Sequence, residues 1–163
     1  MRHSHLAAAL MSLAVAAPAR AAEAEPVRGV CVLRDGADRQ VGTATLVQDL
    51  HGVRIAIGVK GLKPGVHAFN LHEVGRCDAP DFTSAGGHFN PGKKAHGAAG
   101  APASHAGDLP DLVVGADGAA MTGFIAKGVS LTGGAASLLG GAGTALVLEA
   151  GGVRVACGVV TPR

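Results

Sequence analysis

The sequence predicts an all-β protein, an antiparallel sandwich or flattened barrel of about eight short strands. Three observations carry that expectation. Apolar residues recur at every second position in short runs, and not at helical spacing. Turn signals, among them Asp35-Gly36, "LKPG" and Ala116-Asp117-Gly118, punctuate those runs. One long stretch, Glu73 to Pro110, interrupts the pattern and is rich in Gly, Ala, Pro and His.

The runs follow in order. "VRGVCVLR", Val27 to Arg34, alternates and stops at Asp35-Gly36. "QVGTATLVQ", Gln40 to Gln48, alternates again. "GVRIAIGV", Gly52 to Val59, is the cleanest, with Val53, Ile55 and Ile57 on one face and Arg54 and Ala56 on the other. A fourth strand is expected over Val66 to His72. After the long stretch, strands resume at Asp111 to Val114 and at "AAMTGFIA", Ala119 to Ala126. Thr144 to Glu149 and Val153 to Val160 are joined only by Ala150-Gly151-Gly152, so they read as a tight hairpin.

The N-terminus reads differently. Arg2, His3 and His5 precede an apolar run from Leu6 to Ala17, and Ala19-Arg20-Ala21 has the small-x-small form of a cleavage site. A secretory signal peptide over residues 1–21 is expected, too short to span a membrane, followed by one domain over 22–163. No second apolar run is long enough to span, so the mature chain is expected to be exported and free of membrane. The whole chain has 14 Lys+Arg and 12 Asp+Glu; cleavage removes Arg2 and Arg20, and the basic residues that remain balance the acidic ones. With no basic excess, no Trp or Tyr and only four Phe, nothing points to nucleic acid. Three cysteines, Cys31, Cys77 and Cys157, allow one disulfide and one remaining thiol in an oxidising compartment.

Histidine placement carries the chemistry. His51 falls in a turn and reads as a surface residue. His67, His72, His88, His96 and His105 cluster, mostly within the long stretch, and Asp108 follows His105 by three. A loop of that composition cannot bury enough apolar surface to order itself, whereas a metal ion could order it. Three histidines and an aspartate are a proper tetrahedral zinc set. Asn70 and His72 are two apart on a strand and share a face, so an asparagine stands where a metal site would want a second histidine.

The motifs resemble those of the bacterial copper–zinc superoxide dismutases. "GLKPGVHAFNLHEVGRC" is similar to the family's G-L-x-P-G-x-H-G-F-H-x-H-E segment; "TSAGGHFNP", "GDLPDLVV" and "RVACGVV" match in place and order. The resemblance covers roughly Val27 to Val160. It implies an eight-stranded antiparallel Greek-key barrel with a long metal-binding loop, superoxide as substrate, and allows a homodimer. It also implies zinc held by His88, His96, His105 and Asp108, with His88 bridging toward copper. It further implies a Cys77–Cys157 disulfide and a buried Cys31 thiol. Arg154 matches the arginine that guides the anion in that family, and a role in hydrogen-bonding the disulfide loop is the alternative.

The copper set departs from the family's four histidines. His72 and His88 match two of them. Asn70 stands at the first position, and Leu148, read against V-V-H-E, at the last. The charged loop that separates the last two strands in the family shrinks here to Ala150-Gly151-Gly152, so steering charge is reduced and the copper face is expected to lie open. Zinc has no redox chemistry, so the matching zinc set cannot by itself support dismutation. Three readings follow: a zinc-binding dismutase-like protein with weak or lost dismutation, an active dismutase with atypical copper ligation, or a copper- or haem-binding protein using the opened face.

Overall fold

The computed structural model describes residues 25–95 and 104–163; the expected leader and His96 lie outside them. Nine strands form, β1 (Arg28–Asp35), β2 (Gln40–Asp49), β3 (Gly52–Val59), β4 (Gly65–His72), β5 (Leu112–Val114), β6 (Ala120–Ala126), β7 (Ala145–Ala150), β8 (Val153–Val159) and β9 (Thr161–Pro162). Among the described residues there is no α-helix, only a single 3-10 turn at Thr83–Ala85. The named strands all pair antiparallel, in the order β5-β4-β7-β8-β1-β2-β3-β6. β5 and β6 stand at opposite ends of that order, yet the turn closed by Gly115 N–H on the Ala119 carbonyl joins them directly. The sheet therefore curls into a nearly closed eight-stranded barrel, with β9 as an addition: it pairs with Gly29 and Val30 of β1. The expected all-β antiparallel barrel is the one that forms.

Strand alternation decides what is inside. On β3, Val53, Ile55 and Ile57 are buried while Arg54 and Ala56 are exposed. Leu33, Leu46, Phe69, Leu71, Leu146 and Leu148 complete the centre of the core, and Phe69 meets Phe124 edge to face at 5.9 Å. β1 and β8 approach so closely that a Cβ on Gly158 would sit 2.4 Å from Cys31 Sγ, which explains glycine there. The β7–β8 connection has Gly151 at φ 58° and Gly152 at φ 79°, two consecutive left-handed residues as a tight hairpin turn requires.

β4, like its neighbour β7, is covered on both faces over much of its length. Phe69 and Leu71 enter the barrel core. Asn70 and His72 point the other way and are buried as well. Their cover is the long loop, laid against β4 as a three-way zipper. Phe89 N–H donates to the Leu71 carbonyl at 2.8 Å, Leu71 N–H to the Gly107 carbonyl at 2.9 Å, and Gly107 N–H to the Phe89 carbonyl at 2.9 Å. Gly107 permits this approach, since a Cβ there would lie 2.4 Å from the Leu71 oxygen. The loop is thus tied by backbone as well as by the Cys77–Cys157 disulfide, whose Cα atoms are 5.6 Å apart. Cys31 is the free, buried thiol.

Candidate metal centre

The zipper sets the chemistry in register. It places His88 opposite His72 and Asp108 opposite Asn70 as isolated bridges beside β4. His88 Nδ1 lies 2.6 Å from Asp108 Oδ1, and His105 Nδ1 lies 3.4 Å from the same oxygen. The His105 backbone N–H donates to Asp108 Oδ2 at 2.9 Å. One ligand atom from each of His88, His105 and Asp108 lies within 4.8 Å of the others. Burial raises the Asp108 carboxyl, but the hydrogen bonds from His88 and from the His105 backbone outweigh it and hold the group below its ordinary value. An ionised carboxylate among imidazoles is a donor set that suits zinc. Of the four residues expected to hold zinc, the structure brings these three together; the fourth, His96, lies outside the described residues.

His72 forms the second half. It is fully buried, and its ring packs edge-on to that of His88 with centroids 5.1 Å apart. Its Nδ1–H donates to the Gly86 carbonyl at 2.9 Å, which fixes the tautomer. Nε2 then carries a lone pair, and it is buried without any hydrogen-bond partner. Burial, foremost, holds the imidazole below its ordinary pKa, with Arg154 and His88 adding to the effect. The ring is neutral and ready to act as a ligand.

Two sequence expectations change here. Leu148 is not at a ligand position: it is fully buried in the barrel core, paired with Phe69. Glu149 is the residue on the site's face, and its carboxylate converges with His72 and His88 in a second three-residue set, again within 4.8 Å. A shift of one residue along a strand reverses the face, so Leu148 and Glu149 exchange roles. The face is also not open: His72 has no exposure and Asn70 only 7%, because the loop covers what the shortened β7–β8 connection does not. His67 is on the opposite face of β4, with Nε2 2.8 Å from the Lys63 carbonyl oxygen, and takes no part.

Arg154 braces the loop. Nη1 and Nη2 donate to the carbonyls of Phe82, at 2.6 Å, and Gly86, at 2.8 Å. Its Nε lies 3.5 Å from Glu149 Oε1. Because Gly86 O also receives the His72 N–H, one carbonyl ties the arginine to the buried imidazole.

Comparison with known proteins agrees with this geometry. The profile of the copper/zinc superoxide dismutase family matches residues 40–160. The chain belongs to the copper/zinc superoxide dismutase family. Among its relatives in that family, a copper–zinc superoxide dismutase of Caulobacter vibrioides is 38% identical over 144 residues, 79% of this chain and 83% of the relative. Copper–zinc superoxide dismutase 1 of Aquifex aeolicus is 40% identical over 135 residues, 74% of this chain and 80% of the relative. The crystal structure of a superoxide dismutase-like protein from Bacillus subtilis superimposes with a TM-score of 0.75 at 34% identity, covering 81% of this chain and 97% of that one. The family's substrate is superoxide and its metals are copper and zinc. Against that background this chain is divergent: a face that four imidazoles would occupy presents Asn70, His72, His88 and Glu149 instead. The residues do not fit the copper set that the sequence resemblance implies.

Proposed function

We propose that this protein is an exported, zinc-binding member of the dismutase family in which copper-dependent dismutation is weak or lost. The observation that supports this reading is the contrast between two sets sharing His88. The His88, His105 and Asp108 donors converge as zinc would require. The other set offers two imidazoles and a carboxylate where the family uses four imidazoles. Zinc, held by His88, His96, His105 and Asp108, supplies a redox-inert anchor for the loop. Asp108 holds the His88 and His105 rings toward one another, His72 presents a neutral nitrogen, and Arg154 keeps the Phe82–Gly86 segment over the site. In this reading residues 1–21 are a leader removed on export, which agrees with the disulfide.

The test is metal analysis of protein purified from its native compartment, with superoxide removal measured on the same sample. One zinc per chain, substoichiometric copper and activity far below that of the family's copper-loaded enzymes are expected. One tightly held copper per chain with rapid turnover would reject the reading.

A further inference from the structure

We propose that the free edge of β6 is a self-association surface, on which two copies of this chain pair antiparallel about Thr122 and join their sheets into one. The inference rests on neither ligand set. β6 stands at one end of the strand order, with β3 on its paired side. β5, at the other end of the order, leaves it after a single turn bond, Gly115 N–H to the Ala119 carbonyl. Among the described residues no further backbone hydrogen bond reaches β6 from that side. Thr122 marks the opening. It lies opposite the buried Ile57, on the inward-facing side of the strand, and is exposed all the same.

The edge carries none of the usual protections. Between Asp117 and Lys127 there is no charged residue and no proline, and the β3–β6 ladder runs without a bulge. The edge also offers its backbone in order. Ala119 turns its carbonyl toward Gly115, away from β3. Alternate residues of a strand direct their backbone groups to the same side, so Met121, Gly123 and Ile125 present theirs to the opening.

The occupant is a second copy because the segment complements itself when reversed. With Thr122 opposite Thr122 on the two-fold axis, Met121 of one copy meets Gly123 of the other, and Phe124 meets Ala120. Each large side chain faces a small one. Each Met121–Gly123 pair exchanges both of its backbone hydrogen bonds, and the two threonines form a close, non-hydrogen-bonded pair. Charge agrees with shape: Asp117 and Lys127, both exposed, fall opposite one another across the axis. Sliding the pairing by two residues sets Lys127 against Gly115 or Ala119 and loses the match. A single strand edge buries less than the roughly 1,200 Å² at which standard interfaces begin, so the dimer should dissociate in the micromolar range.

Sedimentation of the disulfide-bonded chain over a range of concentrations tests this, together with four variants. Gly123→Pro removes an edge donor that β3 does not use, and Lys127→Glu sets like charges opposite one another; each should weaken association by about tenfold or more. Asp117→Lys should do the same alone, whereas mixing it with Lys127→Glu restores both ion pairs and should recover a dimer containing one chain of each kind. Thr122→Cys places two thiols across the axis within disulfide reach and should cross-link rapidly on mild oxidation, while Leu50→Cys, at a 98% exposed position away from this edge, should not. The native free thiol, Cys31, is buried and does not compete. Circular dichroism confirms that each variant folds. Wild type that stays monomeric up to about 1 mM, Thr122→Cys that cross-links no faster than Leu50→Cys, or a dimer that survives both Gly123→Pro and Lys127→Glu overturns the proposal; the last result would put the contact on another surface.

Discussion

Replacing both Cys77 and Cys157 by alanine should destabilise the protein by several kcal/mol, and the magnitude can be worked from the fold. The bond closes a loop with a sequence separation of 80. The chain-entropy relation for a loop that long gives about 4.5 kcal/mol, nearly all of it from freedom restored to the unfolded chain. The native state should change little, because the loop is held by other means: the zipper of Leu71, Phe89 and Gly107, and the Arg154 clamp on the Phe82 and Gly86 carbonyls. Alanine is the right replacement, since Cys157 is buried and a serine hydroxyl there would add its own desolvation cost. Equilibrium urea unfolding of the oxidised wild type and the double variant is the assay. The midpoint should fall and the slope should rise, because the uncrosslinked chain exposes more surface when it unfolds. For a chain of this size the same loss is about 15 °C in Tm. A loss below about 1.5 kcal/mol with an unchanged slope would refute the reasoning, and would mean that the unfolded chain is already compact around this loop.

Removing zinc with a chelator, or substituting His105→Ala, should lower the melting temperature and increase proteolytic cutting between residues 73 and 110; chelated protein that had held zinc yet shows neither change would count against the zinc set. Leu148→His and Glu149→His should part company. The first puts an imidazole at a position with no solvent exposure and should cost about 3 kcal/mol or more by denaturant titration, with no gain in copper; Asn70→His with Glu149→His should raise copper retained after dialysis. The Cys31 thiol, pushed up to about 12 mainly by burial, should resist thiol reagents at pH 8 until the chain unfolds. The unfolded thiol ionises near the ordinary value while the folded one stays protonated, so its contribution to stability should fall as pH rises above about 9 and not below it; a rapid stoichiometric reaction in the native state would contradict this.

Much of the barrel was legible because half-buried strands write their period into the sequence. The Gly52–Val59 strand was readable to the residue, since Val53, Ile55 and Ile57 alternate with Arg54 and Ala56. β9 was not, because two residues carry no period and the run to Val160 continues smoothly into it. His88, His105 and Asp108 could be picked out by type and spacing, but their mutual distances depend on Gly107 and Phe89 meeting Leu71, a tertiary contact with no local signature. The confusion of Leu148 with Glu149 has a physical origin too. A strand covered on both faces shows a continuous apolar run, and "ALVL" does not declare which side is core until β4 is laid beside it. The cover over His72 was likewise invisible, because a glycine-rich loop looks the same in sequence whether it stands away from the barrel or lies flat on it.

The His88 ring belongs to both ligand sets, and a planar ring cannot turn one edge without turning the other. Asp108 grips it at Nδ1 from one side, while His72 stands across its face on the other. The aspartate therefore acts as a lever on a place it does not touch. Shortening or neutralising it would let the imidazole pivot, and the change would be felt at Glu149, on a different strand and in a different ligand set. Two donor groups joined through a shared rigid ring are coupled, so an ion held by one would change what the other presents. Whatever reorients the Asp108 carboxylate therefore reaches the Glu149 side of the barrel through one shared imidazole.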